Sequence, residues 1–441
     1  MQQVFTSKED LQTILNPILT FSPLKIHDRT KLTNFGIDTL VYNAVFAKKN
    51  IASFCRRLIY DIATIYQIRP SSIRSLYAAF GREDIKGFTV PAINIRTLTY
   101  DIARIIFRLM IAKKIGPVIF EIARSEIEYT HQRPQEYATV ILAAAIKERY
   151  QGPIFLQGDH YQFSKKRFEE DKYNEIQQLK DLIRESIDAK FFNIDIDAST
   201  LVDYTQKDLS QQQRLNSEMT ATLTNYIQQI QPQNSDIAIG GEIGHIGGRN
   251  STPEDLVAFM RQYQEIVPTG GIIKVSVQTG TTHGGVILPN GTLQKVNLNF
   301  SLLKKISTVA RKKYQLGGVV QHGASTLPLE YFDLFVQNDT LEIHLATVWQ
   351  NIVYDKMPDD LREKMYSYVW ENFAQDRQKE WTDEQFLYNV RKKALGPFKQ
   401  VLWDLSNDEK APILNTLSQT FSLIFEKLGI FNTQHIVQKY I

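Results

Sequence analysis

The sequence predicts an α/β chain built as a (β/α)8 TIM barrel with helical extensions at both ends. Three observations predict it. Eight short β-rich runs recur between residues 88 and 347, and stretches of helical character separate them. Most of the runs are apolar on successive residues instead of alternating, the pattern of parallel strands covered on both faces. A prior of about 150 residues per domain allows three domains, but closed barrels reach roughly 250 residues as one unit. An open, doubly wound sheet is the alternative arrangement of the same elements.

Taken in order, residues 1–86 read as a helical N-terminal extension, on stretches such as LVYNAVFA and FCRRLIYDIATIY, with no strand expected. The barrel is expected over 87–347. Its runs are FTVPAINI (88–95), PVIFEIA (117–123), PIFLQGD (153–159), FFNIDID (191–197), IAIGGEIG (237–244), GIIKVSVQTG (271–280), GGVVQHG (317–323) and LEIHLAT (341–347). Candidate helices fall at 98–114, 135–150, 173–189, 209–230, 253–267 and 298–314. One helix start is well marked: Thr252 can cap the backbone amides, Pro253 suits the first helical position, and Glu254 and Asp255 favour the positive end. Residues 348–441 read as a helical C-terminal extension, broken at Gly396-Pro397 and Gly429, with aromatic positions suited to packing on the barrel or on a second subunit.

Composition narrows the function. With 43% apolar and 22% charged residues among 441, the chain can bury a sizeable core. A formal charge of +3, from 51 Lys and Arg against 48 Asp and Glu, gives no basic footprint for nucleic acid. The single cysteine, Cys55, excludes an intramolecular disulfide and a thiolate zinc cluster, so any metal must use nitrogen and oxygen ligands. The start MQQVFTSKEDLQ is not a signal peptide, and no run reaches the roughly 18 apolar residues of a membrane span. A cytoplasmic protein with no membrane partner is expected.

Catalytic groups of such barrels sit where the strands end. Strand three ends in Asp159-His160, strand four in Asp195 and Asp197, and strand five in Glu242. Strands six, seven and eight end in His283, His322 and His344, so four of the eight histidines gather there. A lone histidine at a strand end is more often structural than a ligand. Jointly, imidazoles from separate strands could bind one divalent cation and leave positions open for Lewis-acid chemistry. Glycines beside them allow close backbone approach or simply make turns. Lys274 could form a Schiff base, but an ordinary strand residue or ion-pair partner is the preferred reading. Asp195 and Asp197 could each simply cap a loop.

The ordered motifs VPAINI, GDH, IDAS, GEIGHIGG, GTTHGG, HGAS followed by a proline, and HLAT resemble the class II, metal-dependent ketose-bisphosphate aldolases, including the tagatose-bisphosphate branch. The resemblance implies that His160, His283 and His322 hold zinc or another divalent metal, and that Asp159 moves the proton of the substrate hydroxyl. Glu242, matching the Glu of the family's E-L-G-x-x-G-G stretch, would lie beside the metal, and Asp197 would support its ligands through hydrogen bonds. A substrate phosphate would rest on Gly284, Gly323, Ser325 and Thr347, with His344 standing where the family has Asn. The implied reaction is reversible aldol cleavage of a ketose phosphate or bisphosphate, a glycolysis-type step of carbohydrate metabolism, through an enediolate whose charge a cation stabilises.

Departures from the family matter equally. Ala346 replaces an Asp of the phosphate loop, and VIL (286–288) supplies no lysine there, so an unphosphorylated or unusual sugar is also considered. Only RNS (249–251) follows Gly247-Gly248, where the family carries an acidic mobile loop with a proton-abstracting Glu. Replacements for that base are His245, His344, or a residue of the segment 161–173, read as a lid or a solvated surface. Two alternatives to the lyase are a sugar or sugar-acid epimerase on the same metal site and a non-catalytic companion subunit of a tagatose-bisphosphate aldolase. The aromatic extensions suggest a homo-oligomer.

Overall fold

In the computed structural model, residues 3–244, 248–280, 288 and 298–441 are described. His245, His283 and Gly284, each expected at the site, lie outside them.

The eight expected runs form eight strands: β1 (Val90–Asn94), β2 (Ile119–Ala123), β3 (Gly152–Gln162), β4 (Asn193–Asp197), β5 (Ala238–Glu242), β6 (Lys274–Val277), β7 (Val319–Gln321) and β8 (Glu342–Leu345). Each pairs in parallel with the next, and β8 returns to β1 with His344 opposite Ala92. The sheet is therefore a closed (β/α)8 barrel and not the open alternative. Near-continuous apolar runs are explained by this closure, since helices outside and side chains inside cover both faces.

The expected helices follow their strands, among them Thr99–Ala112, Pro134–Lys147, Lys172–Asp188, Leu209–Ile230, Pro253–Ile266 and Phe300–Tyr314. Thr252 caps Pro253–Ile266 by accepting from the Asp255 amide, and the Asp255 carboxylate accepts from the Thr252 amide in return at 2.8 Å. Arg249 pairs with the same carboxylate at 2.6 Å, and the Ser251 amide donates to the Gln278 carbonyl at 2.7 Å. The short segment after the Gly247-Gly248 pair is thus stitched to the helix start and to the exit of β6.

The N-terminal segment departs from expectation in carrying strands. Leu19–Phe21 and Leu24–Ile26 form an antiparallel hairpin, and Ile68–Pro70 pairs in parallel with the beginning of β3. The cause is the length of β3, whose first residues extend past its barrel neighbours and present an edge that another strand must cover. Pro70 is tolerated because this added strand is itself an edge. At the other end of the chain, helix Asn407–Lys427 packs on Thr99–Ala112 and Thr347–Lys356, with Trp349 stacked on Phe421 at 3.8 Å between ring centroids. The Thr89 amide donates to the Leu428 carbonyl at 2.9 Å, which ties this segment to the entrance of β1. Among the described residues, no helix is long and apolar enough to cross a membrane.

Candidate active site

Consecutive side chains on a regular strand point to opposite faces, so Asp159 and His160 should not share a site. A bulge resolves this. The pairing of β3 with β4 shifts register between Gly158 and Tyr161, and His160 takes a left-handed backbone with φ of 40°. Both residues consequently line one cavity of roughly 350 Å³ at the mouth of the barrel. The strand continues to Gln162, so the pair lies within β3 and not at its end. Gly158 is required here, because a Cβ would run into the Tyr161 ring.

Around this bulge Asp197, Glu242, His322 and His344 converge on His160. His160 Nδ1 lies 3.0 Å from Asp197 Oδ2 at the end of β4 and 3.2 Å from Glu242 Oε2 at the end of β5. The rings of His160 and His322 are 4.0 Å apart between centroids, and those of His322 and His344 are 4.1 Å apart. His322 Nε2 is 2.9 Å from Ser276 Oγ. Candidate ligand atoms of His160, Glu242 and His322 all lie within 4.8 Å of one another, as do those of Asp159, His322 and His344. This buried nitrogen-and-oxygen set fits a divalent cation.

The electrostatics agree with that fit. Burial, reinforced by Asp197, pushes the Glu242 carboxyl up to about 8. Burial also opposes charge on Asp197, yet its hydrogen bond and charge contact with His160 bring it down to about 2. Its other oxygen accepts from the Ser199 amide at 3.0 Å, so Asp197 caps the loop and orients the imidazole at once. Asp159 is likewise buried, but His160 and His344 hold it well below the ordinary carboxylate range. Asn94 donates to Asp159 Oδ2 at 2.8 Å and to Glu126 Oε2 at 2.9 Å, fixing the carboxylate plane.

Beneath the mouth the lumen is charged where such barrels are usually filled by branched apolar side chains. Lys274 Nζ lies 2.5 Å from Glu342 Oε1, 2.9 Å from Asp195 Oδ2 and 2.8 Å from Gln157 Oε1. Tyr77 donates its hydroxyl proton to Glu342, and Gln157 donates to Glu121 Oε2 at 2.7 Å. Lys274 is thus an ion-pair partner. Burial alone would depress its pKa, but Asp195 and Glu342 raise it, so the amine stays protonated and unsuited to Schiff-base attack. Asp195 is a member of this network through Lys274.

The described residues expected around a phosphate, Gly323, Ser325, Thr347 and His344, sit on the same cavity. Gly323, in a left-handed turn with φ of 71°, Ser325 and Thr347 line it, and Ser325 Oγ accepts from the Ala346 amide at 2.8 Å to join the loops after β7 and β8. His344 instead turns among acids, with Nδ1 3.0 Å from Asp159 Oδ1 and Nε2 2.6 Å from Glu342 Oε1. Carboxylates on both nitrogens make this a poor place for another anion. The segment 161–173 borders the cavity through Gln162, Phe163, Ser164 and Arg167. It contains helix Lys165–Glu170, capped by Ser164 and anchored by the Phe163 and Phe168 rings 5.8 Å apart.

Several residues of the site were not anticipated: Asn94, Arg96, Glu121, Glu126, Glu342 and Lys392. Glu121 and Glu342 did leave a signal, since a carboxylate inside a run covered on both faces must find a buried partner. Lys392 left none, because its place depends on how the C-terminal segment folds back.

Comparison with known proteins gives a consistent result. The sequence model of the class II fructose-bisphosphate aldolases matches residues 77–402. No curated protein matches in sequence. Among solved structures, the fructuronate-tagaturonate epimerase of Cohnella laeviribosi is 13% identical, covers 78% of this chain and 82% of its own, and has a TM-score of 0.54. A probable tagatose 6-phosphate kinase of Sinorhizobium meliloti is 14% identical over 80% of this chain and 99% of its own, with a TM-score of 0.52. A fructose-bisphosphate aldolase of Campylobacter jejuni is 17% identical over 83% and 96%, with a TM-score of 0.49. At such identities structural likeness speaks for the fold alone, whereas the family match spans the barrel and its flanks: the chain belongs to the class II fructose-bisphosphate aldolase family.

Proposed function

We propose that the protein is a divalent-metal-dependent lyase that reversibly cleaves a ketose phosphate beside its carbonyl, with residues 87–347 as the catalytic unit. The observation that carries this reading is the convergence of ligand atoms of His160, Glu242 and His322, from three different strands, within 4.8 Å of one another, with His160 and His322 lining a cavity that also holds Asp159. His160 and His322, with His283, would hold zinc or a similar cation, and Glu242 would lie beside it. When bound, that cation polarises the substrate carbonyl and offsets the negative charge that develops as the carbon–carbon bond breaks.

The chain's own groups have separate tasks. Asp197 fixes the His160 ring. Asp159, oriented by Asn94 on one oxygen and facing His344 on the other, takes the proton of the hydroxyl beside the breaking bond. Gly323, Ser325 and Thr347, with Gly284, would bind the phosphate. The buried, multi-strand donor set speaks against a non-catalytic companion subunit, which has no need of one.

Elemental analysis, together with enzymatic trapping of a three-carbon product from ketose phosphates, tests the proposal. Stoichiometric metal and product release are expected; protein that binds no divalent cation and releases no product under any added metal would refute it. Epimerisation of a sugar or sugar acid is a second reading, favoured by the Asp159–His344 contact, which places two proton-carrying groups side by side. An epimerase would convert substrate without releasing a trappable fragment.

A further inference from the structure

Beside the group of His160, Glu242 and His322, the barrel carries a second set of buried donors, centred on His344. This histidine stands on β8 with carboxylates against both ring nitrogens. Its Nε2 lies 2.6 Å from Glu342 Oε1, and Glu342 is in turn held by Lys274 Nζ and by the Tyr77 hydroxyl. An imidazole N–H donated to an anchored carboxylate fixes the ring and leaves the other nitrogen as a directed ligand. That nitrogen, Nδ1, faces two oxygens at once: Asp159 Oδ1 of β3 at 3.0 Å and Glu121 Oε1 of β2 at 3.2 Å.

A second observation comes from Glu121. Its side chain is fully buried and Gln157 donates to Oε2 at 2.7 Å, but Oε1 accepts no hydrogen bond among the described residues. A proton on His344 Nδ1 serves one of the two oxygens and leaves the other bare, which is costly in a buried place. Lys274 cannot make up the difference, because it is committed to Glu342 and Asp195. A divalent cation could serve oxygens and nitrogen together, since ligands about 2.0–2.2 Å from one metal stand roughly 3 Å or slightly more from each other. Ligand atoms of Asp159, His322 and His344 also lie within 4.8 Å of one another, and all three residues line the cavity, which gives a cation its way in.

We propose that Asp159 and His344, backed by Glu121, form a second divalent-cation site next to the one built on His160, Glu242 and His322. With more carboxylate than imidazole, it suits a harder cation such as Mn2+ better than the histidine-rich first site does. The Asn that the family carries in place of His344 offers only an amide, so the site comes from a substitution in this chain. The count of two sites rests on the reading of the first as a metal centre.

Titration of the metal-stripped full chain with Mn2+ and, separately, Zn2+ tests it. Free Mn2+ is read from its paramagnetic resonance signal, and bound metal by elemental analysis after gel filtration. Wild type and the exposed control Glu371→Gln should bind two equivalents of at least one metal, and His344→Asn and His160→Ala one each. The isosteric Glu121→Gln should weaken one equivalent roughly tenfold or more. A single wild-type equivalent that His160→Ala removes and His344→Asn keeps overturns the second site and leaves the metal centre of the lyase standing. A single equivalent lost in His344→Asn and kept in His160→Ala does the reverse, and no bound metal of either kind refutes both. Two equivalents left intact by His344→Asn and by Glu121→Gln, in proteins of normal melting temperature, also overturn the proposal.

Discussion

In the lower lumen Glu342 and Asp195 meet an ammonium, Lys274 Nζ, at 2.5 and 2.9 Å, whereas at the mouth Glu242 and Asp197 meet an imidazole, His160, at 3.2 and 3.0 Å. Both clusters bury acids and histidine within one barrel. They differ in what completes them. The deep cluster contains its own strong cation and three further polar partners, Gln157, Tyr77 and His344, so its charges are matched inside the fold. The mouth cluster keeps Glu242 elevated to about 8 through burial and its acidic neighbours, and it opens on a cavity. A closed charge network specifies structure, while an acid-rich one facing a cavity is equipped to take a ligand.

Substitutions can break this contrast, and the largest expected effect is at the mouth. His322→Ala and His160→Ala should each lose metal by more than the roughly 10–100-fold typical of outer partners, with near-wild-type melting temperatures, as read by elemental analysis and thermal denaturation. Next comes the deep cluster. Lys274→Met strands two buried carboxylates and should cost about 3–5 kcal/mol of stability, measured by denaturant unfolding, and pairing it with Glu342→Gln should recover part of the loss. If instead Lys274→Met leaves stability intact, the deep network is not the structural element described. Asp197→Asn keeps the loop cap but weakens the hold on His160, so metal affinity should fall roughly 10–100-fold in a competition titration with a chelator. The smallest effect is expected far from both clusters. Cys55 is fully buried, and burial pushes its thiol up to about 12, so a thiol reagent at pH 8 should modify it only after unfolding.

Strand positions were readable because β1 to β8 are continuous apolar runs punctuated by chemistry, and the barrel follows from their number and parallel pairing. Asp159, His160, Asp197, Glu242 and His322 were readable for a related reason: each interrupts or ends such a run. Glu121 and Glu342 interrupt runs as well, but pairing them requires knowing that Lys274 and Gln157 point into the same lumen, which only closure of the sheet establishes. The neighbours of His344 were not readable from its strand alone. His344 lines the cavity, yet its two nitrogens face the carboxylates of Asp159 and Glu342, an arrangement set by which strands closure of the barrel brings together. The added strand Ile68–Pro70 escaped notice because three residues carry no period, and its existence depends on the overhang of β3.

The ribosome delivers all eight strands, through Leu345, before the turn Arg391–Ala394 that brings Lys392 to the cavity, and helix Asn407–Lys427 emerges later still. All the strands are thus synthesised before one side of the pocket, so the last part of the chain to appear completes the cavity wall. Translation stopped between these points leaves a chain that carries all eight strands but lacks Lys392 and the helix Asn407–Lys427.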